Sequence, residues 1–256
     1  MEWIDCNRMG MCKACMTDSP LRTILLTGQE TGYIGSNIKQ YGNNRRGFRV
    51  KESLQSVFVD DFLDACDYKV DAVIHLAAIS GVKECEDAPE QAIYTNVMGT
   101  LKTIQSCQAR GIPVWLASSF AAIQPENLYG YTKAMAEYLT MKYDLGFVFV
   151  ISNVYGGINF DRKTSVIASW MRRNEKGLPI LVHGDGTQER DFIHVQDVAR
   201  SMVDQIQVQL EGGPSYKKYY LCSGVKTSLN KLYELFESEF KPRDPPIHRP
   251  DIGVGI

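Results

Sequence analysis

No hydrophobic run in the 256 residues approaches the ~18–20 residues of a membrane span; the stretch around Phe147–Ile151 is far shorter. Neither charge is in surplus: 28 Lys and Arg against 30 Asp and Glu leave a net charge of −2. That balance argues against a dedicated nucleic-acid binder, which carries a basic excess or patch. Histidine is scarce, and none lies near the CxxC formed by Cys12 and Cys15 with Cys6 just before it. With no fourth ligand to complete a zinc tetrahedron, no metal is expected. Cys66, Cys85, Cys107 and Cys222 stand singly and read as small hydrophobes of a reduced protein. The first twenty residues hold Asp5, Arg8, Lys13 and Asp18 without an apolar core, so they are not a signal peptide. Residues 1–20 are expected to be a disordered leader and the protein cytoplasmic, with no membrane or nucleic-acid partner.

What is present is alternation. Arg22–Thr27 is an apolar run that suits a buried parallel strand, followed by a short helix over Ser36–Tyr41. Further strands are expected at Phe48–Val50, Val57–Val59, Asp71–Ala77, Val114–Ala117 and Phe147–Ile151. Helical patterns lie between them at Asp61–Tyr68, Ala88–Arg110 and Tyr131–Tyr143. Strands alternating with helices predict an α/β fold, a Rossmann-like doubly wound parallel sheet over residues 21–155. Residues 156–256 are expected to form a smaller α/β substrate lobe, with part of 189–205 returning to the sheet. Its pattern is a helix over Val166–Lys176, a strand at Ile180–His183, a helix over Val195–Glu211, a strand at Lys218–Cys222 and a helix over Ser228–Phe240.

Between the first strand and first helix lie Gly28, Gly32 and Gly35. Glycines there let the backbone turn tightly and approach a pyrophosphate, toward which the helix N-terminus directs its N–H groups. The end of the second strand then selects the cofactor, because an acidic residue accepts a ribose 2′-OH whereas basic ones receive a 2′-phosphate. Glu52 favours NAD, while Arg49 or Lys51 favours NADP. These residues leave the choice open: a nicotinamide dinucleotide is expected, NAD with NADP possible.

Tyr129 and Lys133 stand at i and i+4, on one face of a helix. An ammonium near a phenol favours phenolate, so Tyr129 can act as base toward a hydroxyl or as acid toward a ketone. Ser119, just past the strand Val114–Ala117, supplies a hydroxyl to orient the same substrate oxygen.

TGxxxGYIGSNI at 27–38, VIHLAA at 73–78, NVMGT at 96–100, ASS at 117–119, YGYTK at 129–133, NVYG at 153–156 and GDGTQERDFIHVQDVA at 184–199 occur in that order. Together, over about residues 22–235, they resemble the extended short-chain dehydrogenase/reductases, in particular the nucleotide-sugar epimerase/dehydratase group. The resemblance implies that Gly28, Gly32, Tyr33, Ile34 and Gly35 cradle a dinucleotide. Asp61 and Phe62 would lie beside its adenine, and Leu76, Ala77 and Ala78 under the nicotinamide ribose. Ser118, Tyr129 and Lys133 would also touch the cofactor. Ser119, Tyr129 and Lys133 become the catalytic set. Asn153, Arg190 and, more loosely, Arg249 would contact a nucleotide-sugar substrate, with Arg190 clamping its diphosphate. The helix over Tyr131–Tyr143, apolar on more than one face, would pair with its copy in a homodimer.

The sequence also departs from that family. The glycine turn has one residue more between its first two glycines, only nine residues separate Ser119 from Tyr129, Val150 replaces an arginine, and the C-terminus is short. These departures predict an open pocket. Phe120 and Ala121 stand where the family's 4,6-dehydratases carry an Asp-Glu pair, and neither can move a proton, which argues against dehydration. The expected activity is a UDP-hexose 4-epimerase-like reaction. The alternatives are an NAD(P)H-dependent 4-ketosugar reductase and a non-catalytic NAD(P)-binding sensor or scaffold.

Overall fold

Strand β1 (Arg22–Thr27) is buried on both faces and lies inside a parallel sheet, as its unbroken apolar run requires. The structure is a computed structural model and describes residues 21–28, 32–45, 47–53, 56–58, 62–157 and 165–250. After β1 come α1 (Tyr33–Asn43), β2 (Phe48–Glu52), β3 (Ala72–His75), α2 (Val82–Asp87) and α3 (Pro89–Ile93). A π-helical turn, Tyr94–Met98, joins α3 to α4 (Gly99–Arg110). Strand β4 (Val114–Ser119), helix α5 (Leu128–Lys142) and strand β5 (Gly146–Ile151) follow. The remainder is β6 (Asn153–Tyr155), α6 (Val166–Glu175), β7 (Leu181–His183), β8 (Glu189–His194), α7 (Val195–Leu210), β9 (Lys218–Leu221), β10 (Lys226–Ser228), α8 (Leu229–Phe240) and β11 (Ile247–Arg249).

Six strands pair in the order β2-β1-β3-β4-β5-β9, all parallel. The chain leaves β1 toward β2 and resumes at β3 on the other side, so the strand order switches beside β1. In such sheets ligands bind outside the carboxyl ends of the strands at that switch. Alternate residues of β1 enter different cores. Ile24 and Leu26 pack with Trp115, Phe149, Val198 and Met202, whereas Leu25 packs with Val73, Ile104 and Val114. Helix α7 belongs to the first core and so returns to the main sheet.

The smaller lobe has a three-stranded sheet, β10-β8-β6, and a two-stranded one, β11-β7. Trp170, Ile180, Val182, Tyr233 and Phe236 form its core. Among the described residues no helix is long and apolar enough to cross a membrane.

Several elements differ from expectation. Lys218–Leu221 was expected in the small lobe but pairs with β5, from Val148↔Lys218 to Ile151↔Leu221, and completes the main sheet. Tyr219 accounts for that placement, since its ring lies against Trp115 and Phe149. Val57 and Phe58 form a turn rather than a strand: Val57 is buried and Phe58 stacks on Tyr94 with ring centroids 4.4 Å apart. Residues 62–68 form turns in place of the expected helix; Phe62 and Leu63 reach the core from a segment too short to nucleate a helix well. The long helix over Ala88–Arg110 is interrupted by the π turn.

Trp115, wholly buried, stacks on Phe147 at 4.3 Å and on Phe149 at 4.8 Å, while its Nε1 has no hydrogen-bond partner. Trp115→Ala should lower stability by about 3–5 kcal/mol. Trp115→Phe should cost much less, because it keeps the stack and removes an unpartnered N–H. Urea unfolding would record both as midpoint shifts at unchanged slope.

Candidate active site

At the switch the backbones leaving β1 and β3 nearly touch. Gly28 has φ +127°, and a Cβ there would sit 3.3 Å from the backbone N of Ala77. Leu76 N–H donates to the Thr27 carbonyl at 3.1 Å, drawing together the residues that lead into both turns. Only glycine combines that φ with that approach. A Cβ on Gly35 would lie 3.3 Å from Leu76 Cδ1, so that side chain would have to give by a few tenths of an ångström. Helix α1 begins after Gly32 with neither a side-chain cap nor an acidic residue in its first turn, which suits an anionic ligand. Ile34 packs against the core, and Tyr33 is buried, its hydroxyl donating to the Gly156 carbonyl at 2.7 Å.

The end of β2 is now ordered in space. Lys51 places its ammonium over the Tyr68 ring at 3.5 Å, Arg49 is exposed, and Glu52 pairs with Lys39 of α1 at 3.3 Å. The acidic side chain is therefore the one beside the helix of the glycine turn. These features fit an NAD-type dinucleotide: a close backbone cradle, an uncapped helix start and a carboxylate for a ribose hydroxyl. Phe62 is a core residue, Ala77 and Ala78 are half-buried, and Asp61 and the cysteine tail lie outside the described residues.

The candidate catalytic residues Ser119, Tyr129 and Lys133 lie at the end of β4 and in the first turns of α5. Asn127 caps α5, its Oδ1 accepting from Gly130 N–H at 3.0 Å. A Cβ on Gly130 would lie 2.6 Å from the Ala121 carbonyl, so glycine lets the helix start press against the turn that follows Ser119. Ser119 caps that turn, its Oγ accepting from Ala121 N–H at 3.3 Å. Tyr129 is half-buried in the first turn of α5. One turn further along α5, Lys133 donates to the Ala117 carbonyl at 2.9 Å. Burial pushes its pKa down to about 8, against the opposing pull of Cys85 and Glu137. Ser118 points into the helix interface, donating to Glu137 Oε1 at 2.5 Å, while Lys218 of β9 pairs with Glu137 Oε2 at 2.6 Å.

Three of these residues escaped sequence reasoning, namely Glu137, Lys218 and Asn96. Asn96 sits buried in the π turn. It accepts from Ile79 N–H at 2.8 Å and donates to the Ile79 carbonyl at 3.1 Å and to Thr132 Oγ1 at 3.0 Å. Its signal was a carboxamide within the NVMGT motif; π turns often mark functional sites.

In the small lobe Asn153 and Arg190 lie on paired strands, with Asn153 opposite Phe192. Asn153 Nδ2 donates to the Asp191 carbonyl at 3.1 Å. The Asp191 carboxylate accepts from Ser152, Ser223 and Gly224; these donors outweigh its burial and hold it below the usual carboxylate range. Asp197 pairs with Arg200. Arg190 is half-buried, its Nη1 donating to the Glu189 carbonyl. Arg249 is exposed on β11 opposite His183, in the other small sheet from Arg190.

Residues 24–219 match the model of the NAD dependent epimerase/dehydratase family. A UDP-glucuronate 4-epimerase of Thermodesulfobacterium geofontis is 27% identical over 66% of this chain and 57% of its own length. A GDP-6-deoxy-D-mannose reductase of Pseudomonas aeruginosa is 31% identical over 64% of this chain and 62% of its own. The chain thus spans about three-fifths of the length of these relatives. The Thermus thermophilus UDP-glucose 4-epimerase, solved in complex with NAD, superposes with a TM-score of 0.77 at 20% identity, covering 91% of this chain and 88% of that one. That likeness extends to the fold what the family model finds along the sequence. By the family model's match, which covers most of its length, the chain belongs to the NAD dependent epimerase/dehydratase family.

Proposed function

We propose that the protein is a nucleotide-sugar 4-epimerase acting on a UDP-hexose. The observation that supports this reading is that Ser119 ends β4 while Lys133, one turn after Tyr129 on α5, donates to the Ala117 carbonyl of the same strand. Bound NAD would supply the hydride acceptor and donor for the sugar carbon. Tyr129 would remove the C4 hydroxyl proton and later return one, with Lys133 favouring its phenolate and Ser119 Oγ holding the sugar oxygen. Asn153 and Arg190 would bind the nucleotide diphosphate end, a planar guanidinium being suited to paired phosphate oxygens. Arg249 is assigned a lesser contact at the same substrate. Phe120 and Ala121 offer no acid or base, so elimination has no proton carrier at those two positions. The reductase relative favours the second reading, a 4-ketosugar reductase, which differs in consuming its reduced cofactor.

The protein is also proposed to act as a homodimer in the cytoplasm. Along one face of α5, Tyr131, Met135 and Tyr138 are 61, 49 and 55% exposed, and Ile93, Tyr94 and Met98 add exposed apolar surface nearby. A second copy covering this face would remove a patch that is unusual on a monomer. The described cysteines Cys66, Cys85, Cys107 and Cys222 are all free thiols, in keeping with a reducing compartment.

Tyr129→Phe should reduce UDP-glucose to UDP-galactose interconversion by about 10²–10⁴-fold while NAD binding persists. Chromatography of the nucleotide sugars and calorimetry with NAD would check both parts, and unchanged turnover would contradict the assignment. Net oxidation of added NADPH by a 4-ketosugar would move the choice to the reductase. Met135→Asp with Tyr138→Asp should convert a dimer into a monomer in sedimentation velocity; a wild-type monomer would remove the dimer proposal.

A further inference from the structure

One buried ring lies between the two halves of the site. His75 ends β3, directly before Leu76–Ala78, and its Nδ1 is 2.7 Å from the hydroxyl of Thr27, which directly precedes Gly28. Its Nε2 is 3.1 Å from Thr100 Oγ1. The Thr100 hydroxyl already donates to the Asn96 carbonyl at 2.6 Å, and the Thr103 hydroxyl, 3.3 Å from Nδ1, to the Gly99 carbonyl at 2.9 Å. With the Thr100 proton committed, Nε2 must carry the hydrogen and donate to Thr100, leaving Nδ1 to accept from Thr27. The path continues in hydrogen bonds: Asn96 Nδ2 donates to Thr132 Oγ1, and Thr132 Oγ1 to the Tyr129 carbonyl at 2.9 Å.

We propose that His75, as the neutral Nε2–H tautomer, is a positioning residue that ties the dinucleotide turn on one side to the Asn96 π turn and the Tyr129 helix on the other. This rests on the reading of the site as an NAD-dependent epimerase only for its effect on turnover. Nδ1 fixes Thr27, and with it the entry to Gly28; Nε2 fixes Thr100 and, through the Asn96 carbonyl, the turn whose carboxamide holds Thr132. Thr27, Thr100, Thr103, Asn96 and Thr132 are all at least 97% buried, so no water-facing group can replace a lost member. Burial, with Lys133 adding a like charge, pushes the ring's pKa down to about 3, so it stays neutral in the working range.

The two ring nitrogens can be removed separately. In His75→Asn the amide oxygen can take the place of Nδ1, and in His75→Gln the amide N–H can take the place of Nε2. We expect His75→Asn to keep NAD affinity near wild type while lowering kcat about five- to tenfold. His75→Gln should weaken NAD binding by a similar factor and largely keep kcat at saturating NAD. KM for UDP-glucose should stay within about twofold in both. Calorimetry with NAD, steady-state kinetics and melting temperature would be read together. Both variants losing affinity and rate in parallel with melting temperature would overturn the proposal, since plain packing predicts that outcome. Nitrogen-15 imidazole NMR of the wild-type protein is independent of either variant's folding: an Nε2-protonated ring supports the proposal, and an Nδ1-protonated or charged ring at neutral pH overturns it. A wild type that binds NAD without turning over UDP-glucose would defeat the epimerase reading, while the NAD and NMR results would still decide the role of His75.

Discussion

A lysine ammonium in a buried helix-strand seam needs partners, and much of the site follows from how that need is met. Lys133 is held by the Ala117 carbonyl at the end of β4, while Glu137 one turn along the helix offsets its charge. Glu137 in turn needs Ser118 and Lys218, so the strand that returns after the small lobe must sit beside β5. Removing one member of such a buried set leaves its partner's charge uncompensated, which costs more than an exposed pair contributes. The cost of burying Lys133 shows in its acidity: its pKa falls to about 8.

The same sheet brings the second half of the site to the first. Because the strand order switches beside β1, the turn after Thr27 and the segment after His75 leave adjacent strands in the same direction. Gly28 allows their backbones to approach, and Gly130 does the same for the start of α5 against Ala121. Each contact is one that a Cβ would block. Close backbone approach thus shapes both the dinucleotide cradle and the place where Tyr129 stands.

Features with a local cause were readable in the sequence. The buried runs of β1, β3, β4 and β5 announce parallel strands, the glycines after Thr27 announce a turn at a strand end, and the spacing of Tyr129 and Lys133 puts both on one helix face. The misplaced elements depended on distant partners. KYYL reads equally well as an edge strand of either lobe; Trp115 and Phe149 against Tyr219, with Glu137 beside Lys218, draw it to the main sheet. Val57 and Phe58 have strand-like composition, yet Phe58 meets Tyr94 and the segment remains a turn. At the site, Lys218 and Glu137 lacked a short-range signal because Lys218 and Ser118, the partners of Glu137, lie on other elements. That Lys51 lies over the Tyr68 ring while Glu52 pairs with Lys39 could not be read from the adjacent residues.

The central claim is an internal redox cycle at one sugar carbon, run by Tyr129 in a site that keeps its cofactor. The most direct measurement is to give the purified, NAD-loaded protein UDP-glucose deuterated at C4, with no added cofactor, and to examine the product sugar. The structure and chemistry together predict UDP-galactose that retains deuterium at C4. Product with the label lost to solvent, or no product from a protein that demonstrably holds NAD, would contradict it.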